Sequence, residues 1–588
     1  MIAAEPPAAT PLAPLDRRTL LKGGLLGAGL ASAAPLAAQS AQSFTHGVAS
    51  GEPGPDRVLL WTRYAGAQDT RLTVELSGTI DFTRPVAGAS VTAASTRDWC
   101  CKVVVDGLAP DRWYYYRFVA PDGATSPIGR TRTLPQGPTT RWRMAVFSCS
   151  NIGFGWFNAY AHAAAADEFD VVVHTGDYFY EYGAGTYPSR EQALTGRGLD
   201  PADETISLAD YRLRHATYRR DPDLQRLHQL YPMIAGWDDH ESANDSWRGG
   251  AENHQPDTEG TWVVRKRAAM RAYREWMPVS DDRWATYQIG DLATLFRLET
   301  RLTGRDEAPS LRAVLVGSQS PDEALASLAR FRDGDYADPA RQMLGTGQER
   351  WLADGLRASK AGKTRWQVLV QQVLMGSLST PVALAEALTD EVPDYIRRRV
   401  REGALASRAG IPLNMDAWDG YPAARARLFE SVLAADADLV VLAGDSHNAW
   451  AFDLDHDGEN VGGEFAGHSV TSPGFEGYLS QVAPQRLARS LVEGNDQLRW
   501  ADTSRRGYMA VEFTPDRAVS EYRFLSGIRS RSTTLSGTHR ESQLPETGNF
   551  TVRRADRHHA LLHRYRIQRH RRSAAEHRAG ARGRRAFL

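Results

Sequence analysis

The rhythm of apolar and polar positions changes near residue 140. Before it, apolar and polar residues alternate over short runs, Val58-Leu-Leu-Trp-Thr62, Leu72-Thr-Val-Glu-Leu76, Trp99-Cys-Cys-Lys-Val-Val-Val105 and Trp113-Tyr-Tyr-Tyr-Arg-Phe118. This is the period-two pattern of half-buried strands. Leu108-Ala-Pro ahead of the tyrosine run fits the tyrosine corner of Ig-like sandwiches. Residues 44–135 therefore read as a small all-β, Ig/fibronectin-like domain, with Pro127, Pro135 and Pro138 marking the linker. Past Arg141 the apolar runs become continuous and alternate with longer helical stretches. Met144–Phe147 and Phe169–His174 flank a predicted helix at Tyr160–Ala166, a β-α-β unit whose strands are buried on both faces. A helix over Leu208–Leu230, a strand over Met233–Trp237 and a helix over Trp262–Trp276 follow. Tyr287–Glu299 reads as a hairpin turning at Gly290-Asp291. Gly347–Ser359 and Ala423–Ala435 are predicted helices, and Trp366–Val373, the run from Asp438, Met509–Phe513 and Val519–Phe524 predicted strands. Residues 141–535 thus predict an α/β (α+β) sandwich of two mixed sheets flanked by helices.

Composition adds compartment and excludes one partner class. A chain of 588 residues, 42% hydrophobic and 24% charged, is an ordinary globular protein large enough for two or more domains. Residues 551–588 hold 12 of the 70 basic side chains but only Asp556 and Glu576 of the acids, leaving 58 basic and 69 acidic residues, a balance of −11, in residues 1–550. That balance argues against a body that binds nucleic acid specifically. The basic tail, 551–588, has no apolar periodicity and reads as disordered. At the other end, Asp16-Arg17-Arg18-Thr19-Leu20-Leu21-Lys22 precedes the weakly hydrophobic Gly23–Ala34 run. Residues 1–43 resemble a twin-arginine signal, and the run is too short to span a membrane stably. The expected partner is the twin-arginine export machinery, and the expected location is periplasm, cell surface or extracellular space.

Reactive residues gather where apolar strands end. Cys149 and Asn151 follow the first strand, Asp177, Tyr178 and Tyr180 the second, Asp238-Asp239-His240-Glu241 a third, and Asp445-Ser446-His447 a fourth. Gly176 and Gly444 are placed to let the backbone turn sharply and aim the next acid into a cleft. Only three cysteines are present, an odd number that excludes a full disulfide framework. Cys100 and Cys101 read as unpaired strand residues, which leaves Cys149 for chemistry. A thiol, a phenol, carboxylates and imidazoles at one sheet edge propose a metal site.

The same segments resemble the metallophosphoesterase superfamily. In the order Gly176-Asp-Tyr-Phe-Tyr180, Asp239-His-Glu241 and Gly444-Asp-Ser-His447 they are similar to purple acid phosphatases, and in detail they match the alkaline phosphatase D (PhoD) family. The further matching stretches are His46–Pro53 with Leu60–Arg63, Phe147–Asn151, His174–Tyr182, Trp237–Glu241 with Asn244, Met343–Gly345, Trp418–Pro422, Gly444–Trp450 and Arg506-Gly-Tyr508. The resemblance implies a metallophosphoesterase fold and a secreted phosphatase and phosphodiesterase holding Fe(III) and Ca(II), acting on phosphate mono- or diesters through a metal-activated hydroxide. Carried over by position, Cys149, Asp177 and Tyr180 match the iron side, with Asp177 bridging. Asp239, Asp445 and His447 take positions around the neighbouring metal, and His240 stands near the leaving group. Asn151, Asn244, Asp416 and Asp419 are second-tier candidates. Leu298-Glu-Thr-Arg301, with glutamate where the family often has aspartate, the histidine of Gly467-His-Ser469 and the basic tail depart from the pattern, and none is expected to touch the ligands.

Two other readings are weighed. A diesterase acting on phospholipids or teichoic-acid-like polymers is the nearest enzyme, although no lipid-binding amphipathic face is evident. A non-catalytic surface-binding module is the alternative from another class, and the retention of Asp177, Asp239 and His447 argues against it.

Overall fold

The computed structural model describes residues 43–545, except 387, 391, 393 and 413; residues 1–42 of the twin-arginine segment and the basic tail lie outside the described residues. Two large mixed sheets are built around parallel strands. In the nine-stranded sheet Trp142–Phe147, Val171–His174 and Pro232–Ala235 run side by side in parallel. In the seven-stranded sheet Ala293–Arg297, Trp366–Val370 and Leu439–Ala443 do the same. Every residue of the Val171–His174 and Leu439–Ala443 strands is buried, which is why they read as continuous apolar runs. One core cluster takes Met144, Val146, Val173 and Ile234 from the first sheet and Leu295, Val368, Val440 and Leu442 from the second. The two sheets therefore share an apolar interior. Ala285–Ile289 pairs antiparallel with Ala293–Arg297 as the predicted hairpin.

The strand-rich N-terminal part is divided between two sheets. Pro85–Ala93, Thr70–Ser77, Trp113–Val119 and Gly129–Arg132 form a sheet of four. Val48–Gly51, Arg57–Arg63 and Cys100–Asp106 instead extend the nine-stranded sheet, with Ser50 and Gly51 in parallel register against Pro232 and Met233. The backbone N–H of Ala109 donates to the Tyr114 hydroxyl at 2.9 Å, the contact that the Leu108-Ala-Pro run predicts. Alternation alone cannot show this sharing of strands, because a half-buried strand has the same period whichever sheet it joins.

One predicted helix is corrected. Leu208–Leu230 is two helices, Leu208–Arg219 and Pro222–Leu230. Pro222 cannot continue a helix but suits a first turn, and the Asp221 side chain accepts from the backbone N–H groups of Asp223 and Leu224. The break carries Arg219 and Asp221 into the interior.

Candidate metal centre

The polar residues beyond the parallel strands occupy an unusual backbone. Cys149, Asp177, Asp445 and His447 have φ of 59°, 54°, 61° and 62°, a left-handed conformation that costs a side-chain-bearing residue roughly 1–3 kcal/mol and collects at functional sites. Gly176 permits one of these turns: its φ is +120°, and a Cβ there meets the Asp238 Cβ at 2.3 Å and its backbone nitrogen at 2.7 Å. Gly444 has a different reason from the expected one. It is not in the left-handed region; a Cβ there meets Thr175 Oγ1 at 2.5 Å and Ser148 Cβ at 2.6 Å. Close packing of two strand ends, with Asp445 itself making the turn, accounts for that glycine.

These turns assemble three overlapping donor groups. Cys149, Asp177 and His447 form one, Asp177, Asp239 and His240 a second, and Asp238, Asp239 and Asp445 a third, each with its ligand atoms within 4.8 Å of one another. Asp177 and Asp239 each belong to two groups, so the donors run as a chain. The Tyr180 hydroxyl lies 3.0 Å from both Asp177 Oδ2 and His447 Nε2, and Ser472 Oγ is 2.7 Å from it. His447 Nδ1 is 2.9 Å from the Pro473 carbonyl and donates to it, which turns the Nε2 lone pair toward Asp177 and Tyr180. Burial pushes the His447 imidazole down to about 3, so it is neutral.

Arg301 corrects an expectation, because its stretch does touch the proposed ligands. Its fully buried guanidinium pairs with Asp238, with Asp416 Oδ2 at 2.6 Å and with Asp445 Oδ1 at 3.0 Å, and lies 3.7 Å from Asp239 Oδ1. Glu299 supports this turn, accepting from the backbone N–H groups of Arg301 at 2.9 Å and Leu302 at 2.6 Å. His468, by contrast, packs against Phe524 with its Nε2 3.0 Å from the Arg523 carbonyl.

His240 is held from behind. Its Nδ1 lies 2.7 Å from Glu181 Oε2, and its ring packs at a tilt against that of Tyr180 with centroids 4.1 Å apart. Burial opposes the imidazolium, yet Asp239, Glu181 and Asp177 raise its pKa well above the usual value. Glu181 also accepts from the Asn244 backbone at 2.8 Å and from Asn253 Nδ2 at 2.9 Å. Glu241 staples the loops together, accepting from the backbone N–H groups of Asp177, Tyr178 and Asp238 at 3.1, 2.6 and 2.7 Å.

The charge balance of this cluster suits cations. Burial, reinforced by the neighbouring carboxylates, pushes Asp177 and Asp445 well above the usual range. Burial, then Asp177, raises the Cys149 thiol in the same way. Asp239 is the exception: burial pushes it up, but Arg301 and His240 outweigh that and hold it low. Asp177 Oδ1, Asp238 Oδ2 and Asp239 Oδ1 are buried and have no hydrogen-bond partner among the described residues. Orphaned buried carboxylate oxygens are costly, and a cation satisfies them while favouring the charged forms of thiol and acid. The residues present fit bound metal.

All the residues expected to bind metal or to act on the leaving group, Cys149, Asp177, Tyr180, Asp239, His240, Asp445 and His447, meet here. Of the second tier, Asp416 reaches the cluster through Arg301 and Arg305. Asn244 turns its side chain to Glu252. Asn151 Oδ1 accepts from the Gly153 backbone, and its Nδ2 donates to the Tyr187 carbonyl. Asp419 turns away to Arg425 and the Leu378 backbone. Sequence reasoning quoted the stretches that hold Asp238, Glu181 and Arg301 but gave these three residues no role at the site. The Asp238-Asp239 doublet was the available signal for the first, and the stretches His174–Tyr182 and Leu298–Arg301 hold the other two, whose partners lie far away in the chain.

Residues 144–522 match the model of the PhoD-like phosphatase family and residues 29–135 that of the PhoD-like phosphatase N-terminal domain. A curated relative, alkaline phosphatase D of Bacillus subtilis (strain 168), is 30% identical over 524 residues, covering 84% of this chain and 80% of its own. A solved structure titled "Structure of PhoD" superposes with a TM-score of 0.68 at 28% identity, over 86% of this chain and 91% of that one.

Proposed function

The chain belongs to the PhoD-like phosphatase family and is a phosphoric-ester hydrolase; from that premise we propose that it works with a ferric ion beside calcium on phosphate mono- or diesters, in the two-sheet arrangement of metallophosphoesterases. Cys149, Asp177 and Tyr180 would hold the iron, because thiolate and phenolate are strong anionic donors. Asp177, Asp239 and Asp445 would hold the calcium, because carboxylate oxygens suit a hard cation, and His447 groups with Cys149 and Asp177. When bound, such a pair supplies Lewis acidity toward a phosphoryl oxygen and activates a water as nucleophile. The observation that carries this reading is the run of three orphaned carboxylate oxygens, Asp177 Oδ1, Asp238 Oδ2 and Asp239 Oδ1, beside a buried thiol and phenol.

The protein's own groups do the rest. Arg301 spans Asp238, Asp416 and Asp445 and fixes where those carboxylates point. Glu181 orients His240, and Asp239 ahead of Glu181 raises its pKa, leaving Nε2 as the nitrogen that would hand a proton to the departing alkoxide. His240→Ala should therefore slow alkyl esters by roughly 100-fold more than nitrophenyl esters, whose leaving group needs no proton. Equal losses on both, measured as kcat/KM, remove the acid role.

The function is tested with nitrophenyl phosphate and the matching bis-ester, on purified protein before and after calcium chelation. Activity should vanish with the chelator and return with calcium, and the rate ratio then assigns mono- or diesterase. Unchanged activity in chelator excludes the calcium assignment. Among the described residues no helix is long and apolar enough to cross a membrane. Export by the twin-arginine route is proposed from Arg17-Arg18. Replacing both with lysine should leave the chain in the cytoplasmic fraction, and normal export of that variant rejects the route.

A further inference from the structure

Away from the metal centre, a cavity of about 590 Å³ opens between the N-terminal strands and the helix Trp262–Trp276, a volume ordinary for a small-molecule site. Arg97, at the end of the short turn Ser95–Arg97, and Lys102, on the strand Cys100–Asp106, line one wall. Arg267, Arg271 and Arg274 line the other. Steps of four and three residues place these arginines on one face of the helix. The turn that carries Arg97 is tied to this wall, because the Thr96 carbonyl accepts from Arg271 Nη2 at 2.7 Å and from Arg212 Nη2 at 2.9 Å. Both walls are therefore held in place before any ligand arrives.

These five cations share the cavity with two acids, Glu275 and Asp281. Glu275 is already taken: Arg212 holds it with Nε at 2.7 Å and Nη2 at 2.8 Å, and Arg271 Nε adds a third bond at 2.9 Å. Asp281, with its side chain 85% exposed, lies 4.0 Å from Arg274 Nε, beyond hydrogen-bond reach. Lys102 donates to the Val279 carbonyl. Among the described residues no carboxylate pairs with Arg97, Lys102 or Arg267. Burial above all holds the Lys102 ammonium below its usual range, and Arg97 and Arg274 add to this against Asp281 and Glu52. A basic face on a single helix is ordinarily left to water and salt. Here like charges from two parts of the chain converge on one cavity, and an anion relieves their repulsion. Guanidinium forks beside an ammonium are the donor set that phosphoryl oxygens take.

We propose that the cavity between Arg97 and Lys102 on one wall and Arg267, Arg271 and Arg274 on the other binds the phosphoryl group of a small molecule, orthophosphate or a phosphomonoester, and that the bound group bridges the N-terminal strands to the helix. None of these five residues belongs to the metal donor groups. Orthophosphate is titrated calorimetrically, at constant ionic strength, into the metal-loaded full chain and into the double variant Arg97→Gln with Arg267→Gln. Both arginines are exposed and unpaired, so the variant should keep the parent's melting temperature and its activity on nitrophenyl phosphate. The parent should bind one more equivalent of phosphate than the double variant, and either single variant should weaken that equivalent at least about tenfold. Phosphate held at the metals is common to all these proteins and cancels from the difference. Phenylphosphonate, whose carbon–phosphorus bond an ester hydrolase does not cleave, separates the two sources. Tighter binding than orthophosphate at the extra equivalent assigns a phosphomonoester, and weaker binding assigns free phosphate. Equal stoichiometry and affinity in the parent and the double variant overturn the proposal, as does an extra equivalent that chloride fills as readily as phosphate.

Discussion

Asp177→Asn is expected to lower kcat/KM on nitrophenyl phosphate by well over about 100-fold, because loss of merely supporting groups around a metal already costs 10–100-fold. The carboxylate belongs to two of the three donor groups and presents an orphaned Oδ1, so on the proposed assignment its charge would serve both cations. An amide keeps the shape, and its oxygen can still accept from Tyr180, now 3.0 Å from Asp177 Oδ2. It also removes one buried charge from beside Asp238, Asp239 and Glu241, whose proximity, after burial, raises Asp177. The metal-free variant should therefore be at least as resistant to urea as the parent while binding less metal by elemental analysis. Full metal content with lost activity, or lost fold with lost activity, rejects a shared-ligand role.

The second large effect belongs to Arg301. Arg301→Met leaves Asp238, Asp239, Asp416 and Asp445 facing one another without their buried cation. Breaking a buried ion pair from one side typically costs about 3–5 kcal/mol, and four acids share this partner. Urea denaturation in chelator should show that loss, and saturating calcium should recover part of it by binding the carboxylates of the folded state alone. Arg305→Met is the control, since among these four acids it pairs only with Asp416, and its loss should be smaller and independent of calcium. Equal destabilisation by the two variants, with no response to calcium, contradicts the view that Arg301 organises the ligands.

The two variants also mark where reading along the chain stops. Asp177 announces itself, as an acid after a glycine at the end of the apolar run Val171-Val-Val-His174, and so do Cys149 and Asp445. Arg301 carries no such mark. Its place between Asp238 and Asp445 depends on two sheets approaching each other, with partners 63 and 144 positions away in the chain. Glu181 and His240, 59 positions apart, meet because their strands are parallel neighbours in one sheet, which the spacing along the chain does not show. The helix break at Pro222 was legible in principle, since proline punctuates helices, but the apolar spacing across it was continuous enough to hide it.

What the sequence alone determined is the class of elements, the strand ends that carry chemistry, the donor types and the family resemblance. These depend on local periodicity and on residues adjacent in the chain. What only the tertiary structure decided is which strands share a sheet, which side chains neutralise one another, and which buried groups are left unanswered. Ser50 pairing beside Pro232, Arg301 among four acids and Arg219 beneath Trp61 are all long-range juxtapositions. Their energies come from burial and charge at distances set by packing, and no local pattern along a chain encodes a distance in space.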